Sequence, residues 1–144
     1  MEKTEASDRS ELFDALWKGD AGKLQEYIND TLFDTIRFYD YHENFYHAFL
    51  AGQLSRKGYV VKFNRENGLG RSDIAVKDRK NRRAVIIETK SAASERELDS
   101  VCDEALAQIT RNQYDVEIKK SGYKQVLCIG IAFYKKQCLV KVEL

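Results

Sequence analysis

The polar and apolar positions of the chain change period several times, and each change marks an element. A first helix is predicted through Trp17, and in a second, from Lys23 to about Tyr39, Leu24, Tyr27, Ile28, Leu32 and Ile36 recur near helical spacing. Gly19 to Gly22 divides the two, Ser10 is placed to cap the first, and the polar residues 1–9 ahead of it are expected to fray. A third helix is predicted from about Asp40 to Lys57, stopped by Gly58, with Phe45, Phe49 and Leu50 turned to the core. From Tyr59 the period drops to two. Tyr59–Arg65, Arg71–Lys77 and Ala84–Lys90 are short runs with β-branched residues, separated by the glycine-containing Glu66–Gly70 and the polar Asp78–Arg83, and they read as strands.

Beyond Lys90, Ser94 followed by Glu97 has the form of a capping box. Leu98, Val101, Cys102, Ala105, Leu106 and Ile109 then form the apolar stripe of a helix reaching about Asn112. Lys124–Tyr134 and Gln137–Val142 complete the chain as a hairpin around Lys135 and Lys136. The expected organisation is a helical leader over residues 1–40 and an α-β-β-β-α-β-β unit over 41–144, an α/β sandwich about a mixed sheet.

Three charges interrupt this pattern. Asp73 lies in the second strand, and Glu88 and Lys90 lie in the third, among residues that otherwise suit a core. An unpaired buried charge costs several kcal/mol, so the three imply either a closed ion-pair network or a metal site. If the second and third strands form a hairpin whose turn centres between Lys80 and Asn81, Asp73 falls opposite Glu88. Glu88 and Lys90, two positions apart, share a face. Carboxylates so placed repel unless a cation or a proton lies between them, and hard oxygen ligands suit Mg²⁺, with Mn²⁺ as substitute, better than Zn²⁺. A lysine beside that ion would orient an attacking water and stabilise the charge developing on a phosphoryl group.

The chain resembles the PD-(D/E)XK nuclease superfamily, and in particular the small nuclease domain found C-terminal to AAA-ATPase-like domains in bacterial and archaeal proteins. The resemblance covers roughly residues 41–143 in five blocks: Glu43 to His47, Glu66 to Ile74, Ile87 to Lys90, Glu104 to Ile109 with Tyr114, and Ile129 to Phe133. Ser72 stands where the superfamily's name has proline. The resemblance implies a restriction-endonuclease-like α-β-β-β-α-β core, here with an N-terminal helical extension and a C-terminal hairpin. It implies Asp73 and Glu88 as metal ligands, the Thr89 carbonyl as a third, and Lys90 as the residue positioning water. Glu43 would face the metal directly or through water; its other reading is a glutamate in a helix's first turn, favoured by the dipole. Gln108 would hold the lysine or a phosphate, Tyr114 would close the pocket, and Gly70 and Arg71 would approach the substrate phosphate. Their alternative readings are an exposed amide, a packed aromatic, a plain turn and an ion pair.

Composition narrows the function without choosing it. One domain of 144 residues is long enough for a substantial core. A net charge of +1 gives no global attraction to nucleic acid, yet between Lys62 and Lys90 nine basic residues face four acids, so phosphate contacts are expected from that hairpin or, alternatively, a solvated tip. Cys102, Cys128 and Cys138 form no CxxC pair and read as buried free thiols of a cytoplasmic protein, and His42 and His47 share no helix face for zinc. No apolar run is long enough to span a bilayer. The expected activity is Mg²⁺-dependent hydrolysis of phosphodiester bonds in nucleic acid, foremost DNA, with a homodimer where both strands of a duplex are cut. The competing readings are a weakly active or non-catalytic module that binds nucleic acid or regulates an AAA-ATPase partner, and a general interaction domain. The chain is expected to be either a solitary protein or a piece of a longer ATPase.

Overall fold

In a computed structural model of the chain, the described backbone covers residues 2–35, 43–66 and 71–143, and the described side chains are those of 9–34, 45–62 and 74–143. One sheet has the strand order β1 (Tyr59–Glu66), β2 (Arg71–Asp78), β3 (Arg83–Ser91), β4 (Gln125–Tyr134) and β5 (Gln137–Glu143). All neighbours are antiparallel except β3 and β4. A parallel pair requires a crossover. It is supplied by a 3-10 turn at Glu95–Glu97, α4 (Leu98–Arg111) and α5 (Tyr114–Lys120), which pack over β3 and β4. The sheet's other face carries α1 (Glu2–Lys18), α2 (Ala21–Thr35) and α3 (Glu43–Leu54). The sheet is therefore mixed and the fold α/β, with the α-β-β-β-α-β order that the resemblance implies running from α3 to β4.

Because helices cover both faces, β4 is buried along nearly its whole length and loses the two-residue alternation of a half-exposed strand. Its Leu127, Ile129, Ile131 and Phe133 face one core with Leu12, Leu16, Leu24, Ile28, Tyr46, Leu50 and Ile87. Val126 and Cys128 face the other, with Ile86 and Ile109. Helices α1 and α2 thus share a core with the strands. Gly19 makes their tight junction possible: at φ +70° it donates to the Leu16 carbonyl (3.2 Å), and Asp20 N–H reaches the Ala15 carbonyl (3.0 Å), closing α1 in a Schellman motif. Asp20 then caps α2 through its Oδ1, which accepts from Lys23 N–H at 3.1 Å. Helix α2 also covers the edge of β5. The Asn29 Oδ1 accepts from Cys138 N–H at 2.7 Å and the Gln25 Oε1 from Val140 N–H at 3.0 Å, satisfying groups that an open edge would offer to another strand.

Four local expectations change. Helix α1 starts at Glu2 rather than Ser10, since residues 2–9 contain good helix formers and neither glycine nor proline. On α3 the deepest residue is Tyr46, which stacks on Phe133 with ring centroids 4.3 Å apart and donates to the Lys135 carbonyl at 2.8 Å; Phe45 and Phe49 are only partly buried. The capping box does not form: Ser94 is extended with no side-chain cap, and Glu97 N–H bonds to its carbonyl at 3.2 Å. Helix α5 is additional, entered through Gln113 at φ +56°.

The three cysteines are free and buried, and burial pushes Cys102 and Cys128 up to about 11 and Cys138 to about 12. Among the described residues no helix is long and apolar enough to cross a membrane.

Asp78 anchors the β2–β3 turn. It is 3% exposed, and its Oδ2 accepts from Asn81 Nδ2 at 2.7 Å and from Arg83 Nε at 2.8 Å, while the Arg83 guanidinium lies over Trp17 at 4.3 Å. Burial pushes the carboxyl upward, but the hydrogen bonds from Asn81 and Arg83 outweigh it and hold the group below its ordinary range. A depressed folded value adds stability that is present above the unfolded pKa of about 4 and is lost as pH falls through the folded value. Asp78→Ala is expected to lower stability by about 1–3 kcal/mol at neutral pH, because Asn81 and Arg83 lose their acceptor, and thermal melts should show the gap to wild type closing in acid.

Candidate active site

The β2–β3 ladder sets the geometry of the three strand charges. Its register places Asp73 opposite Glu88, Ala75 opposite Ile86 and Lys77 opposite Ala84. The hairpin register expected from the sequence is the observed one. Directly opposed antiparallel residues have Cβ atoms about 5 Å apart and lie on one side of the sheet. The side chains of Asp73, Arg71 and Glu43 lie outside the described residues, as does Gly70 altogether.

Glu88 is 1% exposed on the side of β3 that also presents Ile86, the layer of α4 and α5. Lys90 follows two positions later on the same side and is partly exposed. Its charge reaches Glu104 on α4. The Arg111 guanidinium, paired to Glu104 at 2.7 Å, is the main cause that holds this carboxyl below its usual range, and Lys90 contributes less. Gln108, one turn after Glu104, is 7% exposed, and its Nε2 has no hydrogen-bond partner among the described residues. A buried amide N–H₂ without an acceptor is costly to keep. It fits a pocket that receives an oxygen-bearing ligand.

Gly130 brings α4 this close. It is the β4 partner of Glu88, and a Cβ built on it would stand 2.9 Å from the Cys102 carbonyl oxygen, 2.9 Å from Leu106 Cγ and 3.2 Å from Leu106 N. The Cys102 thiol donates to the Gly130 carbonyl at 3.1 Å. The helix therefore rests on bare backbone beside Glu88. The sequence carried a signal for this contact, an isolated glycine inside the apolar run Ile129–Phe133.

The other expected site residues are distributed over both layers of the fold. Thr89 is buried and alternates to the α1–α3 face. Glu43 is the first residue of α3, on that same layer, and the contacts of Tyr46 with Phe133 and Lys135 put this end of α3 at the C-terminal end of β4, level with the end of β3. Tyr114 packs in the cluster of Ile86, Ile109, Val126 and Cys128, on the turn side of Glu88. Glu88, Lys90 and Gln108 share the α4 layer. Among the described residues no three His, Cys, Asp or Glu side chains come together as a metal cage, and Glu88 is the carboxylate that the described part of the site contributes.

The basic residues of the hairpin lie elsewhere. Arg79, Lys80 and Arg82 belong to the turn between β2 and β3, and Asp78 at its root is five strand positions from Asp73, about 16 Å at ~3.3 Å per residue. Arg83, counted with them from sequence, is committed to Asp78 and Trp17.

No curated protein and no solved structure matches the chain. A family model for the PD-(D/E)XK nuclease superfamily matches residues 41–143, a span that contains α3, the whole sheet, and the ladder on which Asp73 and Glu88 meet. With that match over most of its length, the chain belongs to the PD-(D/E)XK nuclease superfamily.

Proposed function

We propose that this domain is a metal-dependent nuclease that hydrolyses phosphodiester bonds of DNA, with its reaction centre between Asp73 and Glu88. The observation that carries the reading is the β2–β3 register: it pairs a ladder position occupied by aspartate with a glutamate that is 1% exposed. The donor set suits a hard divalent cation, and the orphan Gln108 Nε2 suits a pocket built around oxygen ligands. Asp73 and Glu88 would hold Mg²⁺ or Mn²⁺, with the Thr89 carbonyl and Glu43 as the further oxygens near the end of β3. Such an ion supplies Lewis acidity toward a phosphoryl oxygen and a water of lowered pKa.

The chain's own groups do the rest. Lys90, partly exposed beside Glu88, orients the attacking water and offsets the charge growing on the phosphoryl oxygens. The Gln108 amide donates to a phosphate oxygen or to the acceptor that fixes this pocket. Glu104, paired to Arg111 at 2.7 Å, lies near enough to Lys90 to feel its charge. The superfamily resemblance would add Arg71 and Gly70 as phosphate contacts and Tyr114 as a wall of the pocket.

The test is cleavage of plasmid and single-stranded DNA with Mn²⁺, comparing wild type with Lys90→Ala. The expected result is that the variant binds DNA as wild type does and cuts at least about 100-fold more slowly, the usual cost of removing one transition-state donor. Equal inertness of both proteins across several DNA and RNA substrates would instead favour the non-catalytic, regulatory module.

A further inference from the structure

The charge of the molecule is unevenly placed. Helices α4 and α5 cover β3 and β4 on their face of the sheet, while β1 and β2 extend past them on that same face. Lys62 is the ladder partner of Ala75, which pairs in turn with Ile86, and Lys77 pairs with Ala84. Both lysines therefore stand on the layer of Ile86 and Glu88. Lys62 is exposed, Lys77 partly so, and the Lys77 ammonium lies 5.8 Å from the centre of the Tyr123 ring. At the turn, Arg79 and Arg82 line a recess of about 360 Å³ with Ser121, Gly122 and Tyr123. Arg82 is held at φ +53°, and its carbonyl accepts from Lys124 N–H at 2.8 Å and Gln125 N–H at 3.3 Å, so the basic turn is fixed to the start of β4.

Among the described residues, Lys62, Lys77, Arg79 and Arg82 form no ion pair. Lys77 is held below its ordinary range, by partial burial first and then by the like charges of Lys62 and Arg79. These four cations gather around one aromatic ring, and the recess at the turn is lined by Arg79, Arg82, Ser121, Gly122 and Tyr123. The net charge of +1 hides this pole.

We infer that Lys62, Lys77, Arg79, Arg82 and Tyr123 form a track for the sugar-phosphate backbone of nucleic acid, running from the Asp73–Glu88 ladder position along β2 to the hairpin turn. The inference rests on the nuclease reading for its starting point. Same-face positions along β2 lead from Asp73 past Ala75 to Lys77 and then to the turn, about 20 Å at ~3.3 Å per residue. That length corresponds to about six base steps at ~3.4 Å each. The track reads no sequence, because its contacts are charges and a ring face. It makes the domain prefer nucleic acid that continues on one side of the cut over a fragment ending at the site.

The experiment is fluorescence-anisotropy binding of a labelled DNA duplex, long enough to span site and turn, in chelator and over a range of salt. Wild type is compared with Lys77→Glu/Arg79→Glu/Arg82→Glu and with the control Arg96→Glu/Lys135→Glu at the opposite end of the strands. The track variant should lose at least tenfold in affinity, and its slope of log K against log salt should flatten by about 0.9 for each phosphate contact removed. The control should change neither slope nor affinity to that degree. Thermal melts verify folding, and Lys62→Ala/Lys77→Ala supplies a milder variant in which a flatter slope is also expected. Wild-type slope and affinity in both folded variants would overturn the track, as would a wild type that does not bind DNA. Because chelator removes any metal, the measurement is independent of cutting: a nuclease whose track variants bind normally keeps its centre and loses the track, and an inert protein whose variants bind weakly keeps the track and loses the centre.

Discussion

Asp73→Ala is expected to cut DNA at least about 100- to 1,000-fold more slowly than wild type, the scale on which removal of one group stabilising a phosphoryl transition state is felt. The same substitution should reverse its effect on stability with the metal content of the buffer. In chelator, wild type holds two carboxylates at one cross-strand pair, an arrangement that is destabilising in proportion to their repulsion. Asp73→Ala relieves it, so the variant should melt at or above the wild-type temperature. With Mn²⁺ in tenfold to hundredfold excess over its dissociation constant, wild type gains about 1.4–2.7 kcal/mol by mass action and the variant gains almost nothing. At about 2–4 °C per kcal/mol for a domain near this size, the wild-type shift is roughly 3–10 °C. A closed ion-pair network predicts the opposite pattern, with the variant less stable in chelator and both proteins indifferent to Mn²⁺. Differential scanning fluorimetry of the two proteins in chelator and in Mn²⁺ separates the cases.

Gly130→Ala is the second large effect, and it acts through packing. The new Cβ would meet the Cys102 carbonyl and Leu106 Cγ, both at 2.9 Å. The first of these is helix backbone, which yields only if α4 moves away from the sheet. Overpacking of this kind costs about 1–3 kcal/mol, or roughly 2–12 °C in melting temperature. The functional cost should be larger than the loss of folded protein explains, because α4 carries Gln108 and Glu104 past Glu88 and Lys90. A misplacement of about 1 Å at a reacting centre can lower a rate by about 100-fold. Expected, then, is a variant still folded at assay temperature that binds DNA and cuts it about 10- to 100-fold more slowly. Undiminished cutting by a destabilised variant would show that the position of α4 does not matter to the chemistry.

The sequence made the β2–β3 hairpin legible for a physical reason. Two β-branched runs flank a symmetric polar turn, and a one-residue slip would turn every core side chain outward, so pattern alone fixes which residues face each other. Buried Glu88 was legible as an anomaly, since a carboxylate in an apolar run needs a cause. Gln108 was legible only through family spacing; nothing local distinguishes it from an exposed amide. Helix α5 was not visible because Tyr114 and Ile118, its side chains against the core, are too few to make a period in seven residues. The role of Arg83 was hidden as well. It sits among basic residues of a turn, yet its guanidinium is held by Asp78 and the Trp17 ring, and Trp17 comes to it only through packing of α1 on the sheet. The same packing makes Gln25 and Asn29 guards of the β5 edge, which no local pattern announces.

The central claim is that Asp73 and Glu88 together form a metal-dependent phosphodiester-cleaving centre. Its most direct measurement is supercoiled-plasmid cleavage by wild type and by Glu88→Gln, a substitution that keeps the size of a side chain 1% exposed and removes its charge, each assayed with Mn²⁺ and with chelator. The account predicts nicking by wild type in Mn²⁺ alone and none above background by the variant in either buffer. Equal cutting by the two proteins, or cutting by wild type that persists in chelator, would contradict it.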